Sequence, residues 1–492
     1  MMSRSRSTRR MILPLRRVAV PAVLLMVAGL LSACGSKTAP GQDAEQGSAA
    51  AAGTAPAEIS PAMRRAMLDQ GKALYRAECS GCHGERGRGD GPANKEMVPQ
   101  PRNFAREPFR YRSTRSGQPP RREDIVETIT RGMPGSAMPA FGFLSEQERT
   151  LIADYVMYLA NLDPSAPPPE PFVLGSEPRE TSGSIERGKQ AYVKLGCDKC
   201  HGAGGSGDGP SAATTVDSIG RPLPPRNLHA PLRRGQSDAE IVRTLHTGLD
   251  GAAMPSYSGT ASDEELWDLA RYVRSLKKPE PPLPQDLLAR GRHVIEQRQC
   301  TACHTIEGKG GIVGPSLDVS ARKLRQDWVK EFLADPRAFG KIYPFTSYRM
   351  PDLGLEPAEI EGVLAVFGQI SGRGYPEPAE AVPAYSTELA DKGKLYYFLK
   401  CTECHNLGAV VPTPLAKQQG PDLINIAKRL RYDWIPEWVE KPQAVYPGTA
   451  MIDTNLSSEE IGAVRAFLWK TSTELPSGDP SQAKADARPA GR

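Results

Sequence analysis

Aromatic side chains are scarce, at 6% of 492 residues, and a chain of this length holds several cores rather than one. So thin a supply of large rings implies that something other than side chains fills part of each interior. Histidine is scarcer still, at seven residues. Acidic residues are missing from the first 33 positions, where six arginines (Arg4, Arg6, Arg9, Arg10, Arg16 and Arg17) stand alone. Subtracting those six from the formal charge of +5 leaves −1, so a nucleic-acid partner has no electrostatic support. The 47 glycines and 46 prolines make up about 19% of the chain, below the roughly 25–30% that marks a disordered composition. Folded units joined by proline-rich connections fit better.

Beyond the N-terminal region no apolar run approaches bilayer-spanning length. The basic stretch Arg4 to Arg17 and the 16 apolar residues from Val18 to Ala33 have the plan of a secretory signal, too short to span a membrane. Leu31-Ser32-Ala33-Cys34-Gly35 resembles a bacterial lipobox, which implies cleavage before Cys34 and a lipid on its sulfur; an ordinary signal with a chance cysteine is the alternative. The expectation is a signal peptide over 1–33 and a flexible leash over 34–60. The mature protein is then exported and held at the periplasmic or cell-surface face of a membrane by the lipid.

The other eight cysteines form four pairs, each followed at once by histidine. They are Cys79-Ser80-Gly81-Cys82-His83, Cys197-Asp198-Lys199-Cys200-His201, Cys300-Thr301-Ala302-Cys303-His304 and Cys401-Thr402-Glu403-Cys404-His405. C-x-x-C-H is the attachment signature of c-type haem. Two thiols at this spacing can add to the two vinyl groups of one porphyrin, and the next residue can place an imidazole on the iron. A zinc half-site or a thioredoxin-like pair would leave four histidines in register without a purpose. Four covalent haems c are therefore expected.

The motifs begin at 79, 197, 300 and 401, one small unit per motif. Upstream of each stands a glycine with a basic residue, Gly71-Lys72, Gly188-Lys189, Gly291-Arg292 and Gly393-Lys394, with Tyr75, Tyr192, Ile295 and Tyr397 four residues on. A glycine there would let a second helix cross closely. Downstream, Ser145 with Glu148, Ser262 with Glu265 and Ser457 with Glu460 read as capping boxes opening a last helix, and Glu356-Pro357 takes that place in the third unit. This order of helix, motif, loop, methionine and final helix resembles the class I cytochrome c family over nearly all of 61–473. The resemblance implies an all-α fold of four tandem domains, 61–165, 176–278, 283–374 and 384–473, before a disordered tail over 474–492. Proline-rich linkers lie near Pro164–Pro178, Pro279–Pro284 and Tyr375–Pro383.

A methionine stands in the loop before each last helix: Met138, Met254, Met350 and Met451, at 55, 53, 46 and 46 residues past the motif histidine. Aligning Arg131–Pro139 with Thr247–Pro255 places Met138 on Met254 and Met133 on Leu249. The expected iron ligands are thus His83 with Met138, His201 with Met254, His304 with Met350 and His405 with Met451. The remaining His229, His246 and His293 read as surface or packing residues, His246 being nearest to a methionine loop. Histidine–methionine ligation closes the iron to small molecules and suits one-electron transfer, with no acid, base or nucleophile.

The first two units share a Gly-rich stretch ending at Pro92 or Pro210, then Pro101-Arg102-Asn103 or Pro225-Arg226-Asn227. The last two share Gly314-Pro315 or Gly420-Pro421, then Leu324-Arg325 with Trp328 or Leu430-Arg431 with Trp434. The resemblance implies that the carbonyls of Pro92, Pro210, Pro315 and Pro421 orient the ligand imidazoles. Arg102, Arg226, Arg325, Arg431, Trp328 and Trp434 are candidate propionate partners or ordinary packing residues. The functional expectation is a multihaem carrier of single electrons among redox proteins or a membrane respiratory complex. The alternatives are a dehydrogenase subunit, a peroxidase-like enzyme with an open haem, and a building block of an extracellular assembly.

Overall fold

The computed structural model describes residues 60–97, 99–279, 281–339, 349–372, 385–408, 420–446 and 449–474. The signal segment, Cys34, the leash up to residue 59, the 375–383 linker and the tail from 475 lie outside the described residues. Among the described residues twelve principal helices run in four successive groups of three. The first group holds α1 (Pro61–Glu78), α2 (Arg122–Arg131) and α3 (Glu146–Leu159), and the second α4 (Ser184–Lys194), α5 (Asp238–Thr247) and α6 (Asp263–Ser275). The third holds α7 (Leu287–Gln297), α8 (Gln326–Ala334) and α9 (Pro357–Ile370), and the fourth α10 (Thr387–Lys400), α11 (Trp434–Glu440) and α12 (Ser458–Glu474). Among the described residues the one sheet is a pair of two-residue antiparallel strands, β1 (Thr305–Ile306) and β2 (Lys309–Gly310). The fold among the described residues is all-α, in tandem helical bundles, as the sequence predicts.

The helix starts follow from side chains that satisfy free amides. Ser60 accepts from the Met63 amide, with Pro61 at the first helical position. Reciprocal boxes open α3 (Ser145 with Glu148), α6 (Ser262 with Glu265) and α12 (Ser457 with Glu460), and Glu356 with Glu359 does the same for α9.

In every bundle the first and last helices cross at the glycine singled out by the sequence. Gly71 lies against the Leu151 carbonyl, Gly188 against Asp268, Gly291 against Gly362 and Gly393 against Ala463, each too near for a methyl group. Tyr75, Tyr192 and Tyr397, one turn further, are fully buried and donate to carbonyls of the motif turn: Gly84 at 2.8 Å, Gly202 at 2.7 Å and His405 at 3.2 Å. Ile295 takes this place in the third bundle, without a hydroxyl. The crossing therefore ties the motif to the core, and each bundle has a core of its own, built around Ile129 and Ile152, Leu245 and Leu269, Val294 and Val363, and Trp434 and Val464.

Neighbouring bundles are bonded. Arg112 of the first reaches Asp250 at 2.7 Å and the Thr247 carbonyl at 2.8 Å, Arg131 pairs with Glu240 at 2.7 Å, and Arg221 with buried Glu107 at 2.6 Å. The connection between them is strapped to both: Phe172 bonds the Ser113 carbonyl at 2.6 Å and packs on His246. The third and fourth meet at an antiparallel bridge, Leu324 to Leu430, flanked by Arg325 N–H to Arg429 O at 2.9 Å and Arg431 N–H to Lys323 O at 3.0 Å.

Two helical glycines separate crossing from propensity. Gly462, on α12, has open space where a Cβ would stand, so Gly462→Ala should stabilise by roughly 0.5–1 kcal/mol. Gly188→Ala drives a methyl into the Asp268 carbonyl, and overpacking should outweigh that gain at a cost of about 1–3 kcal/mol. Thermal melts of the two variants should shift in opposite directions.

Candidate haem sites

Each motif begins where the first helix stops, and its five residues close one short turn. The histidine amide bonds to the carbonyl of the first cysteine at 3.0, 2.8, 3.0 and 2.9 Å for His83, His201, His304 and His405. The second cysteine's amide bonds to the same carbonyl at 3.2, 3.3, 3.2 and 3.1 Å. One turn thus carries both sulfurs and the ring, four times over. All eight cysteines are free of disulfides. Burial pushes the Cys82 thiol up to about 12 and those of Cys197, Cys300 and Cys401 to about 11. A thiol–disulfide catalyst needs the opposite shift.

The imidazoles are anchored at Nδ1. His304 and His405 donate to the carbonyls of Pro315 and Pro421, both at 2.8 Å, and Gly314 and Gly420 lie so close to the rings that only a hydrogen fits. In the first two bundles the acceptors are not Pro92 and Pro210. His201 donates to the Arg226 carbonyl at 2.9 Å and His83 faces the Arg102 carbonyl at 3.4 Å. The cause is the Gly-rich loop. It folds back at once, with Gly89 N–H on His83 O and Gly207 N–H on His201 O, and packs the chain before the proline against the motif backbone. Amides of Phe104 and Leu228 on the carbonyls of Gly87 and Gly205, each at 2.7 Å, then bring the Pro-Arg-Asn segment under the ring. The repeated Pro-Arg-Asn triplet was the signal, but the arginine acts through its carbonyl.

Burial lowers the proton affinity of all four rings, to about 4 for His83. A neutral ring with its proton on Nδ1 leaves the Nε2 lone pair for a metal. Two of the other three histidines are engaged elsewhere: His246 with Ser258 at 3.1 Å, His229 with the Gly204 carbonyl at 2.8 Å.

In the second bundle Cys197, Cys200, His201 and Met254 line one largely apolar cavity. Met350 and Cys300 both pack against the third core, and Met451 and Cys401 both against the fourth. Met138 closes a turn in which its carbonyl accepts from the Met133 amide at 3.0 Å, the bond that Met254 makes with Leu249 at 3.0 Å.

The cavity also tests whether these residues fit a haem. Arg226, Arg233 and Arg234 stand in its wall together with Arg110 and Tyr111 of the first bundle. The Nε atoms of Arg110, Arg226 and Arg233 are buried without a partner. Burial lowers the Arg226 pKa, and the neighbouring Arg233 charge adds to the effect. Guanidinium groups with unpartnered Nε atoms around an apolar slot, with sulfur and imidazole inside, match a ring that carries two carboxylates. In the last two bundles the predicted arginines are engaged by their own aspartates, Arg325 with Asp327 at 2.7 Å and Arg431 with Asp433 at 3.2 Å. Trp328 stacks on Phe332 and Trp434 belongs to the fourth core.

Comparison with known proteins gives the same answer. The chain is 27% identical over 224 residues to the Cbb3-type cytochrome c oxidase subunit CcoP of Azospirillum sp. (strain B510), covering 42% of this chain and 61% of that one. It is 24% identical over 225 residues to the subunit FixP of Sinorhizobium medicae (strain WSM419), covering 44% and 63%. The chain thus spans less than two thirds of the length of these curated relatives. A chain of the Kuenenia stuttgartiensis reducing HAO-like protein complex Kustc0457/Kustc0458 is 36% identical, covering 45% of this chain and 99% of that one at a TM-score of 0.41. Among the described residues no helix is long and apolar enough to cross a membrane. The cytochrome c family model matches residues 68–160, 185–277 and 288–365, more than half of the sequence, and the chain belongs to the cytochrome c family.

Proposed function

We propose that the protein is a tetrahaem c-type electron carrier of the bacterial envelope. Its domains span 61–165, 176–278, 283–374 and 384–473, and it is tethered by a lipid on Cys34. The observation that carries this reading is the fourfold motif turn with a half-buried, neutral imidazole fixed at Nδ1 by a carbonyl. When bound, each haem supplies a one-electron iron couple. The protein's part is to hold the ring by Cys79 and Cys82, Cys197 and Cys200, Cys300 and Cys303, or Cys401 and Cys404. His83, His201, His304 or His405 would then ligate the iron, with Met138, Met254, Met350 or Met451 as its second protein ligand. With both faces closed, electrons pass while peroxide and oxygen stay out. The likeness to subunits of a cytochrome c oxidase supports a membrane respiratory complex as partner.

A reductive titration of the full chain, followed optically and by paramagnetic resonance, tests the reading. Four low-spin centres with histidine–methionine spectra are expected; a resting high-spin centre that turns over peroxide would place the protein among haem enzymes. Met254→Ala should open one site, so that the reduced variant binds one carbon monoxide per chain where the parent binds none. Removing one cation from the second cavity by Arg233→Gln should lower a single midpoint potential, because less positive charge faces the ferric state. Voltammetry of the two proteins reads that shift. Cys34→Ser should move the protein from the membrane to the soluble fraction.

A further inference from the structure

We infer that electrons cross this protein in the order second, first, third, fourth haem, with the contact between Cys82 and Cys303 as the junction of its two halves. The inference rests on the four-haem reading above. The second cysteines of the first and third motifs meet in one apolar cluster, packed on buried Ala93, Met97 and Ala302 together with Ala137 and Val313. Two short helical turns, Asn94–Glu96 and Cys300–Ala302, face each other there. Cys82 and Cys303 lie within electrostatic reach of each other.

A thioether makes this contact meaningful. The cysteine sulfur is bonded directly to a carbon attached to the porphyrin, so where Cys82 and Cys303 meet, two ring edges meet. Ala93 and Ala302 keep the approach close, since both are essentially unexposed and neither carries more than a methyl. Clamps at the rim hold it: the Arg349 amide bonds the Ala77 carbonyl at 3.2 Å, its guanidinium lies 3.9 Å from Glu78, and Arg337 sits over the Phe143 ring at 4.5 Å. The first bundle therefore touches the third here and the second through Arg110, Arg112 and Arg131. The fourth joins the third through the Leu324–Leu430 bridge. Tunnelling falls exponentially with gap, so this contact order sets the route. One centre is oxidised by one electron as its neighbour is reduced by one, and no co-reactant is needed.

The test injects electrons at the fourth bundle of the full chain, from a ruthenium photoreductant on Leu399→Cys, an exposed position of α10. The chain without its second haem (Cys197→Ala with Cys200→Ala) should still fill all three remaining centres rapidly. The chain without its first haem (Cys79→Ala with Cys82→Ala) should fill the fourth and third haems and strand the second. Ala93→Trp retains every attachment residue and wedges the junction; two centres should fill at the parent rate and two slower by about tenfold or more. The milder pair Arg337→Ala with Arg349→Ala should slow the same two. A stranded centre in the chain lacking the second haem, or parent rates at all centres in both junction variants, would overturn the order. Fewer than four low-spin centres in the unsubstituted chain would instead sink the four-haem reading.

Discussion

A half-buried imidazole whose Nδ1 proton is held by a main-chain carbonyl has one lone pair left, and most of this molecule serves to aim it. The carbonyl comes from a loop, the ring from a five-residue turn, and both must be held to a fraction of an ångström for the second nitrogen to face a metal. The turn is fixed from above by the end of the first helix. That helix is fixed by its crossing with the last, and the crossing is possible because Gly71, Gly188, Gly291 and Gly393 carry no side chain. In three of the four bundles a tyrosine one turn along returns the connection, its hydroxyl bonding back to the motif backbone.

The bundles reach the same end by two routes. In the last two, the acceptor proline lies 11 and 16 residues past the histidine, and the preceding glycine presses on the ring. In the first two, the Gly-rich loop occupies that space, and the acceptor is displaced to the arginine 19 and 25 residues on. What is preserved between the routes is a carbonyl oxygen at the right place, not a residue type.

This contrast marks what the sequence made legible. The cysteine–histidine spacing, the crossing glycines, the capping boxes and the Glu356-Pro357 start are statements about residue type, and they read directly. The acceptors for His83 and His201 are backbone atoms that any residue could supply, so assigning them to Pro92 and Pro210 by resemblance failed. Arg102 and Arg226 were chosen for their side chains, yet their carbonyls carry the bond. Arg325 and Arg431 have an aspartate two residues away that satisfies them first, a local competition visible in the sequence only in hindsight. The meeting of Cys82 with Cys303 joins segments more than two hundred residues apart and has no local signature at all.

The second cavity shows how the bundles depend on one another. Half-buried Arg226 and Arg233, with Arg110 reaching in from the first bundle, hold buried Nε atoms without partners, and burying such groups unpaired costs free energy. Glu107 and Asp217, each 3.8 Å from Arg110, offset only part of that cost. An anionic ring entering the slot would satisfy what the protein leaves open, so its binding free energy becomes folding free energy, as it does for a structural metal. Because one of the cations belongs to the neighbouring bundle, the same event tightens the interface held by Arg112 and Arg131. Loading a site and fixing the distance to the next site are then one process, which is the condition an electron carrier with several centres has to meet.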